Sequence, residues 1–215
     1  MFVKICGLRD LPSARVAVDA GADAIGFVYH PASPRHVEPA QIRSMVDALM
    51  VDARGDVPVE TVLVVRGRPI EEVLRVARES GVRTVQFHGG EPDADLQQAV
   101  DAGFTVMRAL SLAEYVAGGS SGGTSRPPGG RGTFIDARLL LDAPEPGQGQ
   151  LMEVPDRALL PRTPWILAGG LGVDNVRAQI ESLRPDGVDV SSGVESARGV
   201  KDHAKIRQFI ANARS

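Results

Sequence analysis

Short, nearly continuous apolar runs alternate with amphipathic stretches along the whole chain, and this rhythm constrains the fold more than any single residue. The runs are Phe2–Cys6, Ala24–Val28, Val59–Val65, Thr84–His88, Thr105–Leu110, Arg138–Asp142, Trp165–Ala168 and Gly187–Ser191. Apolar character on both faces of so short a run suits strands covered on each side, as in a parallel sheet. The stretches Leu11–Ala20, Pro39–Met50, Pro69–Ser80, Pro92–Ala102, Val173–Leu183 and Asp202–Ala213 have helical patterning. Pro39, Pro69 and Pro92 stand where a first helical turn tolerates a missing N–H. Gly21, Gly81 and Gly103 follow three of these helices as C-terminal caps. Two crossovers look short: Leu112–Ala117 stops within two turns, and so does the stretch around Asp156–Leu160. Eight strands alternating with helices in 215 residues predict an α/β protein, one single-domain (β/α)8 TIM barrel. An open doubly wound sheet is the alternative, but it usually has fewer strands, and no G-x-G-x-x-G follows the first run.

One segment breaks the rhythm between the fifth and sixth strands. In Gly118–Gly132 every residue except Thr124, Arg126 and Arg131 is Gly, Ser or Pro. Such a composition cannot bury enough apolar surface to offset the entropy of ordering, so a disordered insertion is expected there. It is not a domain boundary, because neither flank holds enough strands to close a sheet.

Charge and cysteine content narrow the function. A net charge of −3, 4% aromatic residues and no concentrated Lys/Arg face argue against nucleic-acid binding. A single cysteine excludes an internal disulfide, and no Cys/His pair has zinc spacing. Asp10, Arg15 and Asp19 interrupt the N-terminal region before a signal-peptide core could form. No run reaches the roughly 20 apolar residues of a membrane span. A cytoplasmic protein is expected, with no membrane partner. The oligomeric state stays open, a monomer being preferred.

In this fold the active site lies at the carboxyl ends of the strands. The candidates there are Cys6, Arg35 in Ser33-Pro34-Arg35, His88, Asp142, Gly169-Gly170, and Ser191-Ser192-Gly193. Each has a plainer reading. Cys6 could be a small buried hydrophobe, Arg35 a solvated surface charge, His88 a hydrogen-bonded wall residue, and Asp142 a cap for the turn at Ala143-Pro144. The glycines after the seventh and eighth strands expose backbone N–H groups, which in this fold commonly hold phosphate.

Six motifs carry a resemblance that spans nearly the whole chain. They are KICG (Lys4–Gly7), GFVYHPASPR (Gly26–Arg35), VQFHG (Val85–Gly89), LLLDAPEPGQG (Leu139–Gly149), LAGGL (Leu167–Leu171) and DVSSGVE (Asp189–Glu195). In order and spacing the set resembles the phosphoribosylanthranilate isomerases of tryptophan biosynthesis. The resemblance implies an Amadori rearrangement of N-(5-phosphoribosyl)anthranilate to 1-(2-carboxyphenylamino)-1-deoxyribulose 5-phosphate, with no metal or other cofactor. It implies Cys6 as general base, Asp142 as general acid and Arg35 as a contact to the anthranilate. The small phosphosugar substrate would be bound by Arg35, His88, Gly169, Gly170, Asp189, Ser192 and Gly193. The stretch Gly147–Val154 departs from the family's usual Gly-Gly-x-Gly loop and aromatic-Asp-Trp sequence. Asp136 is a rival acid; Asp142 is preferred because it ends the apolar run Leu139–Leu141. The competing activity is that of the related histidine-pathway isomerase, or a dual-substrate version, which uses an aspartate where this chain has Cys6. A catalytically silent phosphate-binding barrel would need none of Cys6, Arg35 and Asp142.

Overall fold

The computed structural model describes residues 1–52, 59–117, 137–143, 151–152 and 154–215. Along β1 (Phe2–Cys6), side chains alternate between two environments, as the period-2 geometry of a strand requires. Val3 and Ile5 enter the large apolar layer beneath the helices, whereas Phe2 and Cys6 join a smaller cluster inside the sheet. The same split recurs in β2 (Ala24–Tyr29), β3 (Glu60–Val65), β5 (Thr105–Ser111), β6 (Ala137–Asp142) and β7 (Trp165–Leu167). In β4 (Thr84–Phe87) and β8 (Gly187–Val190), Val85, Phe87, Val188 and Val190 enter the large layer, alternating with Thr84, Gln86, Gly187 and Asp189. These eight strands are parallel, pair in chain order, and close when Phe2–Ile5 of β1 pairs with Gly187–Val190 of β8. The result is a single (β/α)8 domain, as the rhythm predicts.

The outer layer consists of α1 (Leu11–Asp19), α2 (Pro39–Asp52), α3 (Ile70–Ser80), α4 (Asp93–Asp101), α5 (Leu112–Val116), α6 (Val176–Leu183) and α7 (His203–Arg214). Local chemistry starts several of them. Asp10 accepts the Ser13 N–H at 2.8 Å, Asp202 accepts those of Ala204 and Lys205, and Ser111 with Glu114 forms a reciprocal capping box. Gly21, Gly81 and Gly103 take φ of +92°, +68° and +90°, the left-handed geometry of a cap. Pro69 and Pro92 occupy the N-cap positions of α3 and α4, one residue earlier than anticipated. α5 is indeed short, and the crossover from β6 to β7 carries a 3-10 turn at Arg157–Leu159.

Two features differ from the sequence reading. α6 begins at Val176 and not at Val173, because Asn175 closes the preceding loop on itself. Its Oδ1 accepts the Gly172 N–H at 2.8 Å, and its Nδ2 donates to the Gly170 carbonyl at 2.9 Å. A small antiparallel hairpin, β9 (Glu195–Ala197) with β10 (Val200–Lys201), also follows β8. The Gly118–Gly132 segment, Asp136 and most of Gly147–Val154 lie outside the described residues.

The two mouths of the barrel differ. At the amino-terminal mouth Glu60 binds Arg138 at 2.8 Å and Thr84 at 2.6 Å, and the Arg138 guanidinium stacks on the Phe2 ring at 5.0 Å. That end is sealed by paired charge. The opposite end opens into a cleft. Among the described residues no helix is long and apolar enough to cross a membrane.

Candidate active site

The carboxyl ends of β1, β2, β3, β4, β6 and β8 contribute to one cleft. Cys6 of β1, His88 after β4, Asp142 of β6, Asp189 of β8 and Arg35 from the loop after β2 all line it. Counted to its open mouth, the space is about 700 Å³. A second depression shares His88 and Asp142 and extends over Ser111 and Glu114. The strand-end rule thus brings together residues drawn from distant parts of the chain.

Asp142 is the last residue of β6, so the register that prefers it to Asp136 places its side chain in the cleft. Its Oδ1 accepts the Ala143 N–H at 2.7 Å, and its Oδ2 lies 3.3 Å from His88 Nε2. Gly169 presses on the same carboxylate. With φ at +84°, a Cβ built there would fall 2.5 Å from the Ala143 nitrogen and 2.8 Å from Asp142 Oδ1. Only a residue without a side chain lets β7 run this close to the carboxyl group.

Cys6 sits 7% exposed at the foot of the cleft. Burial pushes its thiol above the ordinary range, Lys4 and Lys201 pull against that, and Asp189 adds to it. Lys4, wholly enclosed on the same face of β1, donates to Asp189 Oδ1 at 3.1 Å. Burial draws the Lys4 ammonium down, but Asp189 and Cys6 outweigh it and leave the lysine more firmly protonated than usual. Burial likewise raises the Asp189 carboxyl, against the pull of Lys4.

Arg35 is not a free rim charge. Its Nε and Nη2 donate to the two oxygens of Glu195 at 2.7 and 3.0 Å. Glu195 also accepts from Lys201 Nζ and from the Gly199 N–H, both at 3.0 Å, while Lys201 donates to the Ser191 carbonyl at 2.8 Å. The β9–β10 hairpin therefore braces the loops after β2 and β8. Burial opposes ionisation of Glu195, yet Arg35 and Lys201 hold its carboxyl below the usual carboxylate range.

Gly169, Gly170, Ser192 and Gly193 stand beside the cleft and are not among its lining residues. They belong to a pair of loops joined by a parallel bridge between Gly172 and Gly193. Contact is close enough that a Cβ at Gly193 would collide with the Leu171 carbonyl oxygen. The sequence reading missed Lys4, Gln86, Glu195 and Lys201 as working parts of this region. Period-2 alternation from Cys6 could have flagged Lys4, and from His88 it could have flagged Gln86. Among buried side-chain atoms lining the cleft, Gln86 Oε1 and His30 Nδ1 have no hydrogen-bond partner among the described residues. No group of three or more His, Cys, Asp or Glu residues among those described could hold a metal ion.

A family profile described as N-(5'phosphoribosyl)anthranilate (PRA) isomerase matches residues 3–212. The chain belongs to the phosphoribosylanthranilate isomerase family. A family member from Deinococcus radiodurans, named N-(5'-phosphoribosyl)anthranilate isomerase, is 38% identical over 97% of this chain and 94% of its own. The TrpF structure from Jonesia denitrificans superposes with a TM-score of 0.78 at 42% identity, covering 100% of this chain and 97% of that one. A phosphoribosyl anthranilate isomerase solved with reduced 1-(o-carboxyphenylamino)-1-deoxyribulose 5-phosphate gives a TM-score of 0.76 at 31% identity, covering 100% and 98%. Family membership makes this chain an isomerase, and its barrel is the family's barrel.

Proposed function

We propose that this chain opens the ribose ring of N-(5-phosphoribosyl)anthranilate and converts it to 1-(2-carboxyphenylamino)-1-deoxyribulose 5-phosphate in tryptophan biosynthesis. The observation that carries this reading is that Cys6 and Asp142, from non-adjacent strands, face one cleft. An aldose-to-ketose rearrangement on an amino sugar needs two proton transfers and no net redox change. Asp142 acts as the acid: it protonates the ring oxygen, the furanose C–O bond breaks, and an imine forms at the anomeric carbon. His88, 3.3 Å away, keeps the carboxyl oriented. Cys6 acts as the base: its sulfur takes the proton from the neighbouring carbon, leaving an enolamine that tautomerises to the ketone.

The remaining contacts follow from the groups at hand. Glu195 occupies Arg35 Nε and Nη2, which leaves Nη1 for the anthranilate. Backbone N–H groups of Gly170, Ser192 and Gly193 receive the phosphate, with Gly169 shaping the turn. The Gly172–Gly193 bridge, which holds the two loops together, supports a shared anion there. Gln86 Oε1 and His30 Nδ1 suit sugar hydroxyls, because a buried polar atom without a partner is costly until a ligand supplies one.

The test is turnover of freshly made phosphoribosylanthranilate, run beside the histidine-pathway substrate. Cys6→Ser and Cys6→Ala should bind substrate and lose most of kcat, since an alcohol is far harder to ionise than a thiol. Near-normal turnover in Cys6→Ala would remove the thiol from the mechanism, and turnover of only the histidine-pathway substrate would overturn the reading. Crystals grown in sulfate should hold an anion between the loops after β7 and β8.

A further inference from the structure

The ion pair beside the thiol has no part in the steps above. The Lys4 side chain bonds Asp189 at 3.1 Å and lies beside Cys6 inside the barrel. Gly26 on β2 shows how closely the two residues of β1 converge. A Cβ built there would meet Cys6 Sγ at 3.0 Å and Lys4 Cε at 3.3 Å, so one backbone point touches both. Buried ion pairs are poor stabilisers, because apolar side chains of the same volume commonly do as well or better. A pair so largely withdrawn from water, beside a cluster of Ala, Val, Met, Leu and Ile inside the barrel, calls for a role beyond stability.

The other charges around the sulfur are committed elsewhere. Lys201, on β10, is engaged with Glu195 and the Ser191 carbonyl, and Arg35 makes two bonds to Glu195. Across the cleft Asp142 of β6 faces His88, and on β8 Asp189 is the neighbouring anion. Lys4 is the cation that converges with the sulfur beside Gly26, and it favours the thiolate more strongly than Lys201 does.

We propose that Lys4, anchored by Asp189, is the positioning residue that offsets the burial of Cys6 and so favours the thiolate that abstracts the substrate's proton. This rests on Cys6 being the base. The sulfur accepts the carbon-bound proton, the C–H electron pair stays with the substrate as the enolamine, and Lys4 keeps its own proton throughout. Asp189 fixes the ammonium and sustains its charge, at the cost of placing a negative group near the sulfur.

Cys6 is the one cysteine in the chain, so iodoacetamide alkylation reports its ionisation alone. The rate is measured against pH in the parent protein, Lys4→Met and Asp189→Asn, with kcat profiles alongside. In Lys4→Met the alkylation midpoint should rise by about one unit or more, which slows alkylation roughly tenfold at a fixed pH below it. In Asp189→Asn the midpoint should fall, because an anion has left the sulfur's surroundings while Lys4 remains. An unchanged midpoint in Lys4→Met, or a raised one in Asp189→Asn, would overturn the proposal. If Lys4→Met does not fold, Lys4→Gln, which also removes the charge, should show the same rise and decides in its place. A kcat limb that stays in place while the midpoints move as expected would remove Cys6 as base and still uphold the grip of Lys4 on the thiol.

Discussion

A single methyl group at Gly169 should cripple the enzyme, and Gly103 supplies the control that shows why. Both glycines have left-handed backbones, φ +84° at Gly169 and +90° at Gly103. At Gly103 an added Cβ meets nothing within 4 Å; at Gly169 it meets Ala143 N at 2.5 Å, Ala143 Cβ at 2.6 Å and Asp142 Oδ1 at 2.8 Å. Left-handed geometry costs an L-residue about 1–2 kcal/mol, and that is the whole loss expected for Gly103→Ala. Gly169→Ala adds overpacking of about 1–3 kcal/mol, for a total of roughly 2–5 kcal/mol. Relief must come from the Ala143 backbone, whose N–H holds Asp142 Oδ1. If Asp142 is the acid, displacing it by about 1 Å should lower kcat by about 10²-fold, the usual effect of such a misplacement. Urea unfolding and turnover of phosphoribosylanthranilate measure the two effects separately. Equal stability and equal kcat in the two alanine variants would refute the claim that Gly169 seats the carboxylate.

Asp142→Asn keeps the shape of the side chain but cannot deliver a proton, so kcat should fall by about 10²- to 10⁴-fold; Asp136→Asn should do far less, and a reversal of the two in the turnover assay would move the acid. Glu195→Gln leaves Arg35 and Lys201 without their shared anion and should cost about 3–5 kcal/mol in urea unfolding. Because the folded Glu195 carboxyl lies below its unfolded value, its stabilisation is present above the ordinary glutamate pKa of about 4.3 and fades as pH falls through the folded value. Glu195→Gln should therefore flatten the acid limb of stability, which unfolding at stepped pH would show. Burial raises the Cys6 thiol, so kcat should climb with pH into the alkaline range, and a plateau already reached at acidic pH would contradict it.

Much of this was legible in the sequence because parallel strands buried on both faces leave apolar runs that turns interrupt. β1 matches its predicted bounds, and β3 to β8 shift by no more than a residue at either end. Strand ends then located Cys6, His88 and Asp142 without knowledge of any contact. The start of α6 was hidden, because the Asn175 loop closure is a side-chain event that hydrophobic periodicity does not register. β9 and β10 are three and two residues long, too short to leave a pattern. The brace around the site was equally invisible. Arg35 and Glu195 are 160 positions apart and Lys4 and Asp189 are 185, and only closure of the barrel makes them partners.

That closure has a consequence for how the protein is made. The strand carrying Cys6 is synthesised long before β8, and one of its edges has no partner until Gly187–Val190 leaves the ribosome. Every shorter nascent chain presents two open strand edges, the geometry that invites pairing between chains. Such chains also lack Asp189 and Glu195, so Lys4 and Arg35 have no anion waiting for them. Catalytic competence should therefore arrive abruptly once β8 and the hairpin after it have emerged, and earlier fragments carry edges open to pairing with one another.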